Sequence, residues 1–413
     1  MLRGYTIPLV DLADETFRQV IVDREKDQYL GHPTTALLDD GKTIITVYPK
    51  SHGRGAVMLK KSFDAGLTWT DRLPVPESWA SSLEVPTIYK TVGPDGVKHL
   101  IMFSGLYPIR MAHSEDDGDT WSELTPIGDY GGIVAVGDIA SLGGGHYLAL
   151  FHDDGRFIRK SDLIKIDVYR TGAGGAVMNR ILYSRKQPDG SYALSETWFS
   201  CPAAEKLPED AWTKCFETWK GEGEGTYHLY QIESFDGGLT WGEPRSIAHH
   251  PVANLCEPGI VRSPDGRQLA VLLRENARKL NSHAIFSDNN GKTWSEPVEL
   301  PGALTGDRHC IRYLKDGRLF ISFRDTCLDT PTAGDWCGWI GTYEDIVQGR
   351  EGQCRIRLMD NKRGSDCAYP GVEVLPDGTV VTTTYGHWTE GELAYVVSVR
   401  FHPDEIDEKL RTL

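Results

Sequence analysis

Four copies of one eight-residue pattern, S-x-(D/N)-x-G-x-T-W, constrain the fold of this chain more than any other feature; Asn289 stands where the other three copies have Asp. They read SFDAGLTW, SEDDGDTW, SFDGGLTW and SDNNGKTW, and they occupy Ser62–Trp69, Ser114–Trp121, Ser234–Trp241 and Ser287–Trp294. A short polar side chain at the third position can hold a turn, and glycine supplies a positive φ. Thr and Trp then enter a strand, where β-branched and aromatic residues pack well. The pattern therefore predicts four hairpin turns that each insert a Trp into a sheet.

The spacing of the copies predicts a repeated sheet. Ser62 and Ser114 are 52 residues apart, and Ser234 and Ser287 are 53 apart, which is about the length of a four-stranded propeller blade. A polar turn between two apolar strands recurs at Asp40–Lys42, Pro94–Gly96, Leu142–Gly145, Pro264–Arg267, Lys315–Arg318 and Pro376–Thr379. These turns predict an all-β fold, a single six-bladed β-propeller domain that spans residues 1–413.

Three parts of the chain depart from this repeat. Blades five and six lack the octapeptide and carry GTYEDIVQGRE and YVVSVRF instead. Residues 157–226 form a predicted insertion within blade three, which is interpreted as a surface excursion, a lid over the ligand, a subunit contact or a seventh blade. Either TIPLV or FRQVIV near the start is expected to close the ring against the last blade, because closure removes exposed sheet edges.

Composition narrows the range of partners and compartments. A formal charge of −15 argues against nucleic acid or an anionic membrane as the main partner. No apolar run is long enough to predict a membrane span. The start of the chain lacks the form of a signal peptide, so we expect a cytoplasmic protein if the chain is complete and a periplasmic or secreted one if a signal was removed. The eight cysteines show no C-x-x-C spacing and are expected to be buried thiols.

Two positions in each blade are predicted to face one mouth of the central channel. The entries to the first strands are Gly31–Pro33, Glu84, Gly131–Gly132, Cys256–Pro258, Asp307–His309 and Ala368–Pro370. The exits of the second strands are Lys50–Arg54, Tyr107–Arg110, His152–Asp154, Arg274–Asn276, Arg324–Thr326 and Tyr385–Trp388. A buried charge without a partner loses its hydration, so these polar and ionisable residues are expected to line a solvated cleft. We interpret this cleft as a ligand site; the alternative is a hydrated rim whose charges pair in internal salt bridges.

The octapeptide resembles the Asp-box of the sialidase (neuraminidase) superfamily, whose members are six-bladed β-propellers. Sialidases use a Tyr nucleophile with a Glu, an Asp acid/base and three Arg that hold the sugar carboxylate. The segment DCAYPGVEVLPDGT is similar to the family's nucleophile strand, which implies Tyr369 as nucleophile. The segment EPGIVRSPDGRQLAVLLREN is similar to its Glu-then-Arg segment. The resemblance thus implies Glu257 as the base that activates the tyrosine, and Arg274 as a carboxylate ligand.

Other positions differ from the family pattern. Gly31–His32–Pro33 stands where the family has Arg-Ile-Pro, and His52 and Arg54 stand near the expected acid/base Asp. Asp335 lies near the place of the remaining Arg, for which Arg324 is the nearest substitute. Five histidines lie on the predicted mouth: His32, His52, His152, His309 and His387. Imidazoles can act as general acid or base, or they can hold a divalent metal together with Asp153 or Asp307.

The sequence therefore predicts a sialidase-like exo-glycoside hydrolase that acts on a terminal acidic sugar without a cofactor or bound metal. Its predicted catalytic residues are Tyr369, Glu257, and His52 or His32 as acid/base. The predicted substrate-binding residues are Arg274, Arg324, Arg110, Arg308, Arg54, Asp153, His309 and His387. Two alternatives stay open: a lyase or hydrolase that attacks a uronic-type sugar through His and Tyr, and a non-catalytic glycan-binding propeller. The oligomeric state is left open.

Overall fold

The fold was obtained as a computed structural model. The structure describes the backbone of residues 3–158, 163–171, 176–186, 192–201 and 227–413. In these ranges the strands form seven β-sheets, and six of the sheets make a ring. The first strand of each blade contacts the first strand of the next blade until the circle closes. The predicted all-β, six-bladed propeller is therefore confirmed.

The first three blades contain most of the strands before residue 250. Blade one contains β3 (Thr34–Leu37), β4 (Ile44–Pro49) and β5 (Val57–Ser62). Blade two contains β6 (Thr87–Val92), β7 (Lys98–Ser104), β8 (Arg110–Ser114) and β9 (Thr125–Pro126). Blade three contains β10 (Ile133–Gly143), β11 (His146–Asp153), β15 (His228–Ser234) and β16 (Arg245–His249).

The last three blades follow without a large interruption. Blade four contains β17 (Leu255–Arg262), β18 (Leu269–Glu275), β19 (His283–Ser287) and β20 (Val298–Glu299). Blade five contains β21 (Gly306–Tyr313), β22 (Leu319–Asp325), β23 (Trp336–Gly341) and β24 (Cys354–Met359). Blade six contains β25 (Gly371–Val374), β26 (Val380–Gly386) and β27 (Tyr395–Phe401). Successive strands within each blade pair antiparallel, and each of the six predicted polar turns joins the first two strands of a blade.

The four octapeptides form the predicted turns through hydrogen bonds inside each copy. In the first copy, Gly66 N donates to Ser62 Oγ at 2.7 Å, and Thr68 N donates to Asp64 Oδ1 at 2.8 Å. The Thr68 hydroxyl also donates to Asp64 Oδ2 at 2.6 Å. In the fourth copy Asn289 keeps the backbone contact but donates its amide to Thr293 Oγ1 at 2.8 Å. An amide can replace the carboxylate because the threonine hydroxyl accepts as well as donates.

Blade five replaces the octapeptide with a short helix, α1 (Tyr343–Gln348). Thr342 caps the helix: its Oγ1 accepts the Asp345 N–H at 3.2 Å, and Asp345 Oδ2 accepts the Thr342 N–H at 2.7 Å. This reciprocal arrangement satisfies two amides that the first turn leaves unpaired. Gly349 ends the helix with a φ of 63°. A second helix, α2 (Pro403–Leu410), follows the last strand of blade six.

Both amino-terminal segments join the outer edge of a blade. Strand β2 (Gln19–Asp23), which contains most of FRQVIV, pairs antiparallel with β27 and becomes the fourth strand of blade six. Strand β1 (Leu9–Asp11), from TIPLV, pairs parallel with β24 as a fifth strand of blade five. The first part of the chain is thus hydrogen-bonded to its last strand, as predicted for FRQVIV, and the ring is closed by non-local pairing.

The described part of the predicted insertion forms a separate sheet. Its strands are β12 (Leu163–Thr171), β13 (Ala176–Lys186) and β14 (Tyr192–Cys201), and they pair antiparallel with one another. The ring contact of blade three passes directly from β10 to β17, so this sheet is not a seventh blade of the ring. The turn QPDG and residues 202–226 lie outside the described residues, and the lid and subunit-contact interpretations stay predictions.

The tryptophan of the third octapeptide provides a test of the predicted packing role. Trp241 is 8% exposed, and its ring lies 5.6 Å from that of Phe103 in the core between blades two and three. Trp241→Ala is expected to lower the free energy of unfolding by about 3–5 kcal/mol, because it leaves a large cavity. Trp294→Ala is the matched control, since Trp294 is only partly buried. Urea denaturation with an equal or smaller loss for Trp241→Ala would contradict this packing role.

Candidate active site

A repeated backbone conformation marks the mouth of the channel. At the entry to the first strand of five blades, a residue other than glycine has φ between 46° and 56°: His32, Val134, Glu257, Arg308 and Ala368. Such residues are uncommon, cost about 1–3 kcal/mol each, and cluster at functional sites. Four of them, all but Val134, lie in ranges that the sequence predicted to face the mouth, and His32, Glu257 and Arg308 are predicted site residues. Their shared conformation is invisible in the sequence, because the residue types differ.

Tyr369, Glu257 and Arg274 meet at this mouth. The Tyr369 hydroxyl donates to Glu257 Oε1. Arg274 Nη1 donates to the same carboxylate oxygen at 2.5 Å and to Tyr369 Oη at 3.1 Å. Tyr369 is 7% exposed and Glu257 is 3% exposed. The structure thus brings together three residues from blades four and six that the family resemblance had grouped.

The electrostatics of the group keep the proton on the Tyr369 phenol in the free protein. Burial raises the pKa of Tyr369, and the negative charge of Glu257 adds to this rise, whereas Arg274 and Arg324 oppose it. The second carboxylate oxygen, Glu257 Oε2, is buried and has no hydrogen-bond partner among the described residues. Because Glu257 Oε1 already accepts the hydrogen bond of the phenol, this carboxylate is placed to accept the phenol proton during a reaction.

Three arginines converge on Asp307, a fully buried carboxylate. Arg324 donates through Nε and Nη2 at 2.9 and 2.6 Å, and Arg278 donates through both Nη atoms at 2.6 Å each. Arg274 Nε lies 3.1 Å from Asp307 Oδ1. Burial opposes ionisation, but Arg324, Arg274 and Arg278 together hold the pKa of Asp307 well below its usual range. Asp307 therefore fixes the guanidinium groups around the tyrosine.

The other predicted arginines differ in their surroundings. Arg308 is buried, and its Nη1 has no hydrogen-bond partner in the described part of the chain. It lines a cavity of about 30 Å³ in the channel, which has room for a water molecule. Arg110 instead donates to the hydroxyl and carbonyl of Ser81 at 2.7 and 2.6 Å, and burial lowers its pKa to about 10. Arg54 is half-buried, and its charge acts on Glu84.

A second cluster surrounds Asp366, which the sequence analysis did not single out. Its Oδ1 accepts hydrogen bonds from the hydroxyls of Tyr29 at 2.9 Å and Tyr385 at 3.3 Å, and lies 3.2 Å from His52 Nδ1. Its Oδ2 lies 3.1 Å from His387 Nε2. Burial opposes ionisation, but the hydrogen bonds from His52, His387 and Tyr29 keep the pKa of Asp366 below its usual range. Two of the five predicted histidines thus share one carboxylate.

His32 joins the two clusters. Its ring lies 4.5 Å from that of Tyr369 and 4.6 Å from that of His52. Both ring nitrogens are engaged within the protein: Nδ1 accepts the Gly53 N–H at 3.0 Å, and Nε2 lies 3.2 Å from the Tyr385 hydroxyl. Burial, and then repulsion from His52, lowers the pKa of His32 well below its usual value. A neutral, fully engaged imidazole at this position packs and orients its neighbours.

Three other polar residues of the predicted rim contact backbone groups. His309 Nε2 lies 2.9 Å from the Leu304 carbonyl oxygen, and His152 Nδ1 accepts the Glu257 N–H at 3.3 Å. Asp153 accepts the Gly155 N–H at 2.7 Å, and burial raises the pKa of Asp153 to about 7. The substrate-binding roles of His309 and Asp153 stay predictions, as does the position of His152 at the mouth. The missed residues Asp366 and Tyr29 could have been noticed only by their closeness in sequence to Tyr369 and His32.

Among the described side chains, no group of three or more His, Cys, Asp or Glu residues is arranged to hold a metal ion. Six of the eight cysteines have described side chains, and all six are free thiols. None of the helices in the described ranges has the length and apolar character that a bilayer crossing requires.

Comparison with known proteins gives similarity in fold. No protein-family model matches the chain, and no curated protein matches its sequence. A protein of unknown function from Dyadobacter fermentans is 14% identical over 93% of this chain and 97% of its own, with a TM-score of 0.57. An intramolecular trans-sialidase from Ruminococcus gnavus is 16% identical over 91% of this chain and 95% of its own, with a TM-score of 0.40. A sialidase from Trypanosoma rangeli is 11% identical over 98% of this chain and 62% of its own, with a TM-score of 0.47.

The buried carboxylate of Asp307 is expected to be a main stabiliser of the site. Asp307→Ala should lower the free energy of unfolding by about 3–5 kcal/mol, because it leaves buried guanidinium groups without their counter-charge. Arg278→Ala is the matched control and should cost less, because about a third of the Arg278 side chain is exposed. Both variants are compared by urea denaturation at neutral pH. An Asp307→Ala protein as stable as the unmodified one would refute this role.

Proposed function

We propose that this chain, a six-bladed propeller of the sialidase-like superfamily, is an exo-acting glycoside hydrolase for a terminal, carboxylate-bearing sugar. The observation that carries the proposal is the position of the Tyr369 hydroxyl between Glu257 and Arg274 at the mouth of the channel. A tyrosine is a useful nucleophile where the substrate carries its own carboxylate, since a carboxylate nucleophile would be repelled.

In the first step the Tyr369 oxygen bonds to the anomeric carbon as the bond to the leaving-group oxygen breaks. The phenol proton passes to Glu257, and the leaving-group oxygen takes a proton from a general acid. We assign that acid to His52. It is the more suitable of the two predicted histidines, because its side chain is 62% exposed whereas both nitrogens of His32 are engaged within the protein.

In the second step a water molecule attacks the anomeric carbon and the bond to Tyr369 breaks. The phenolate regains its proton from Glu257, and His52 takes a proton from the water. Two displacements at one carbon retain its configuration, which is the outcome expected of an enzyme with a covalent intermediate. Arg274 donates to the Tyr369 oxygen and stabilises negative charge on it in both steps.

The charge of the site supports an acidic substrate within a negatively charged protein. Four guanidinium groups lie around two carboxylates near Tyr369. The groups are Arg274, Arg278, Arg308 and Arg324 against Glu257 and Asp307. The fork of Arg324 is occupied by Asp307 and by the Ser365 carbonyl. Arg308 Nη1 has no hydrogen-bond partner among the residues that the structure describes, and it is therefore the predicted donor to a substrate oxygen.

A panel of acidic glycosides, including aryl sialosides and uronides, tests the proposal. Tyr369→Phe is expected to lower kcat by about 10³-fold or more on the substrate that is turned over, since it removes the nucleophilic oxygen. Tyr130→Phe is the matched control, because it removes a buried hydroxyl from the core outside the site.

Other outcomes of the panel separate the alternatives. An unsaturated product that absorbs in the near ultraviolet would identify a lyase. Saturable binding of a glycan without any product would identify a binding propeller. Full activity of Tyr369→Phe would exclude the tyrosine mechanism, whichever sugar is cleaved.

A further inference from the structure

The cluster around Asp366 is not used by the tyrosine nucleophile. It collects four polar side chains from three separate parts of the chain: Tyr29 before β3, His52 after β4, and Tyr385 and His387 at the end of β26. All four lie within 3.3 Å of one of the two Asp366 carboxylate oxygens. Two tyrosines and two histidines contact this one carboxylate. Fixing four side chains in one arrangement costs conformational entropy, so the cluster is more ordered than an ordinary surface loop requires.

The placement of protons in the cluster follows from donor capacity. An ionised carboxylate only accepts hydrogen bonds, and Tyr29 has a single hydroxyl proton. The Tyr29 oxygen lies 2.9 Å from Asp366 Oδ1 and 2.8 Å from His52 Nδ1. If Tyr29 donates its one proton to Asp366, the hydrogen bond between Tyr29 and His52 needs a second proton. That proton must lie on His52 Nδ1, which can then donate to Tyr29 and Asp366. This fixes the ring of His52 as the Nδ1–H tautomer and leaves Nε2 for the substrate.

We propose that Asp366 is a positioning residue for His52, and that the two form the acid/base dyad of the hydrolase. This inference rests on the proposed function. In the first step His52 carries a proton on each nitrogen and gives the Nε2 proton to the leaving-group oxygen. In the second step Nε2 takes a proton from water. Asp366 stays ionised throughout, keeps the Nδ1 proton in place and stabilises the positively charged ring.

The groups that face the dyad come from blades one and six. His32 lies 4.6 Å from His52 between ring centroids and is neutral, because burial lowers its pKa. Tyr29, Tyr385 and His387 contact Asp366 itself. Among the described residues in contact with His52, Asp366 is the one that carries a negative charge. Asp366 is therefore the group placed to stabilise a positively charged ring at His52.

Glu84 is the rival acid at the same mouth. Its two oxygens accept the N–H groups of Val85 at 3.1 Å and Val134 at 3.4 Å, and burial raises its pKa above the usual value. A buried carboxyl that keeps its proton can also donate to a leaving group. The experiment must therefore distinguish Asp366 and His52 from Glu84.

Histidine titration by NMR tests the dyad without a substrate. The full-length protein is labelled with ¹⁵N-histidine, and His52→Gln assigns the His52 signals. The unmodified protein is expected to show the Nδ1–H tautomer at His52. Asp366→Asn should lower the titration midpoint of His52 by about one pH unit or more, because the neighbouring negative charge is lost. Glu84→Gln should leave the midpoint in place. An unchanged midpoint in a folded Asp366→Asn protein would overturn the proposal.

Kinetics on the aryl glycoside that is turned over give the second readout. The alkaline limb of kcat/KM should move to lower pH in Asp366→Asn, since the acid is lost as its ring deprotonates. His52→Ala should slow an alkyl glycoside by about 10²-fold or more but an activated aryl glycoside much less, because a good leaving group needs little protonation. If Glu84→Gln produced these effects instead, Glu84 would be the acid. Full activity in Tyr369→Phe would refute the proposed function, whereas the NMR result would still decide the dyad.

Discussion

Contact between the inner strands of six consecutive blades closes the ring, and the hydrogen bonds between β2 and β27 hold the two ends of the chain together. Closure is necessary because an open propeller would expose the edge of its last sheet. It also sets the position of the candidate site. Glu257 and Tyr369 are 112 residues apart in sequence, and only the closed ring places blades four and six at a common mouth.

The mouth contains two clusters with different electrical character. Around Tyr369, arginines outnumber carboxylates, and Asp307 fixes three of them in place. Around Asp366, histidines and tyrosines share one carboxylate. His32 lies between the clusters and contacts the rings of both Tyr369 and His52. In the proposed reaction Tyr369 is the nucleophile beside the His52–Asp366 pair, and the two clusters supply the separate acid and base functions that glycoside hydrolysis requires.

The sequence predicted the fold in detail because its local signals are strong and repeated. Turn glycines and the octapeptides fix the hairpins, and the number of hairpins fixes the number of blades. The site was less accessible. Tyr369, Glu257 and Arg274 were found through family resemblance, and Asp366 and Arg278 were missed because their partners are distant in sequence. Arg110 satisfied the positional rule, yet its side chain turns to Ser81, since burial requires hydrogen bonds that position alone does not reveal.

The central claim is that Tyr369 forms a covalent bond to the sugar, and trapping of that intermediate tests it most directly. The protein is incubated with a fluorinated sugar that carries a good leaving group. Fluorine beside the anomeric carbon slows both formation and hydrolysis of the intermediate, and the good leaving group makes formation fast again, so the intermediate accumulates. Mass spectrometry of the digested protein should locate one sugar on the peptide that contains Tyr369, and Tyr369→Phe should abolish the adduct. An adduct on Glu257, or turnover with no adduct on any residue under trapping conditions, would contradict the account.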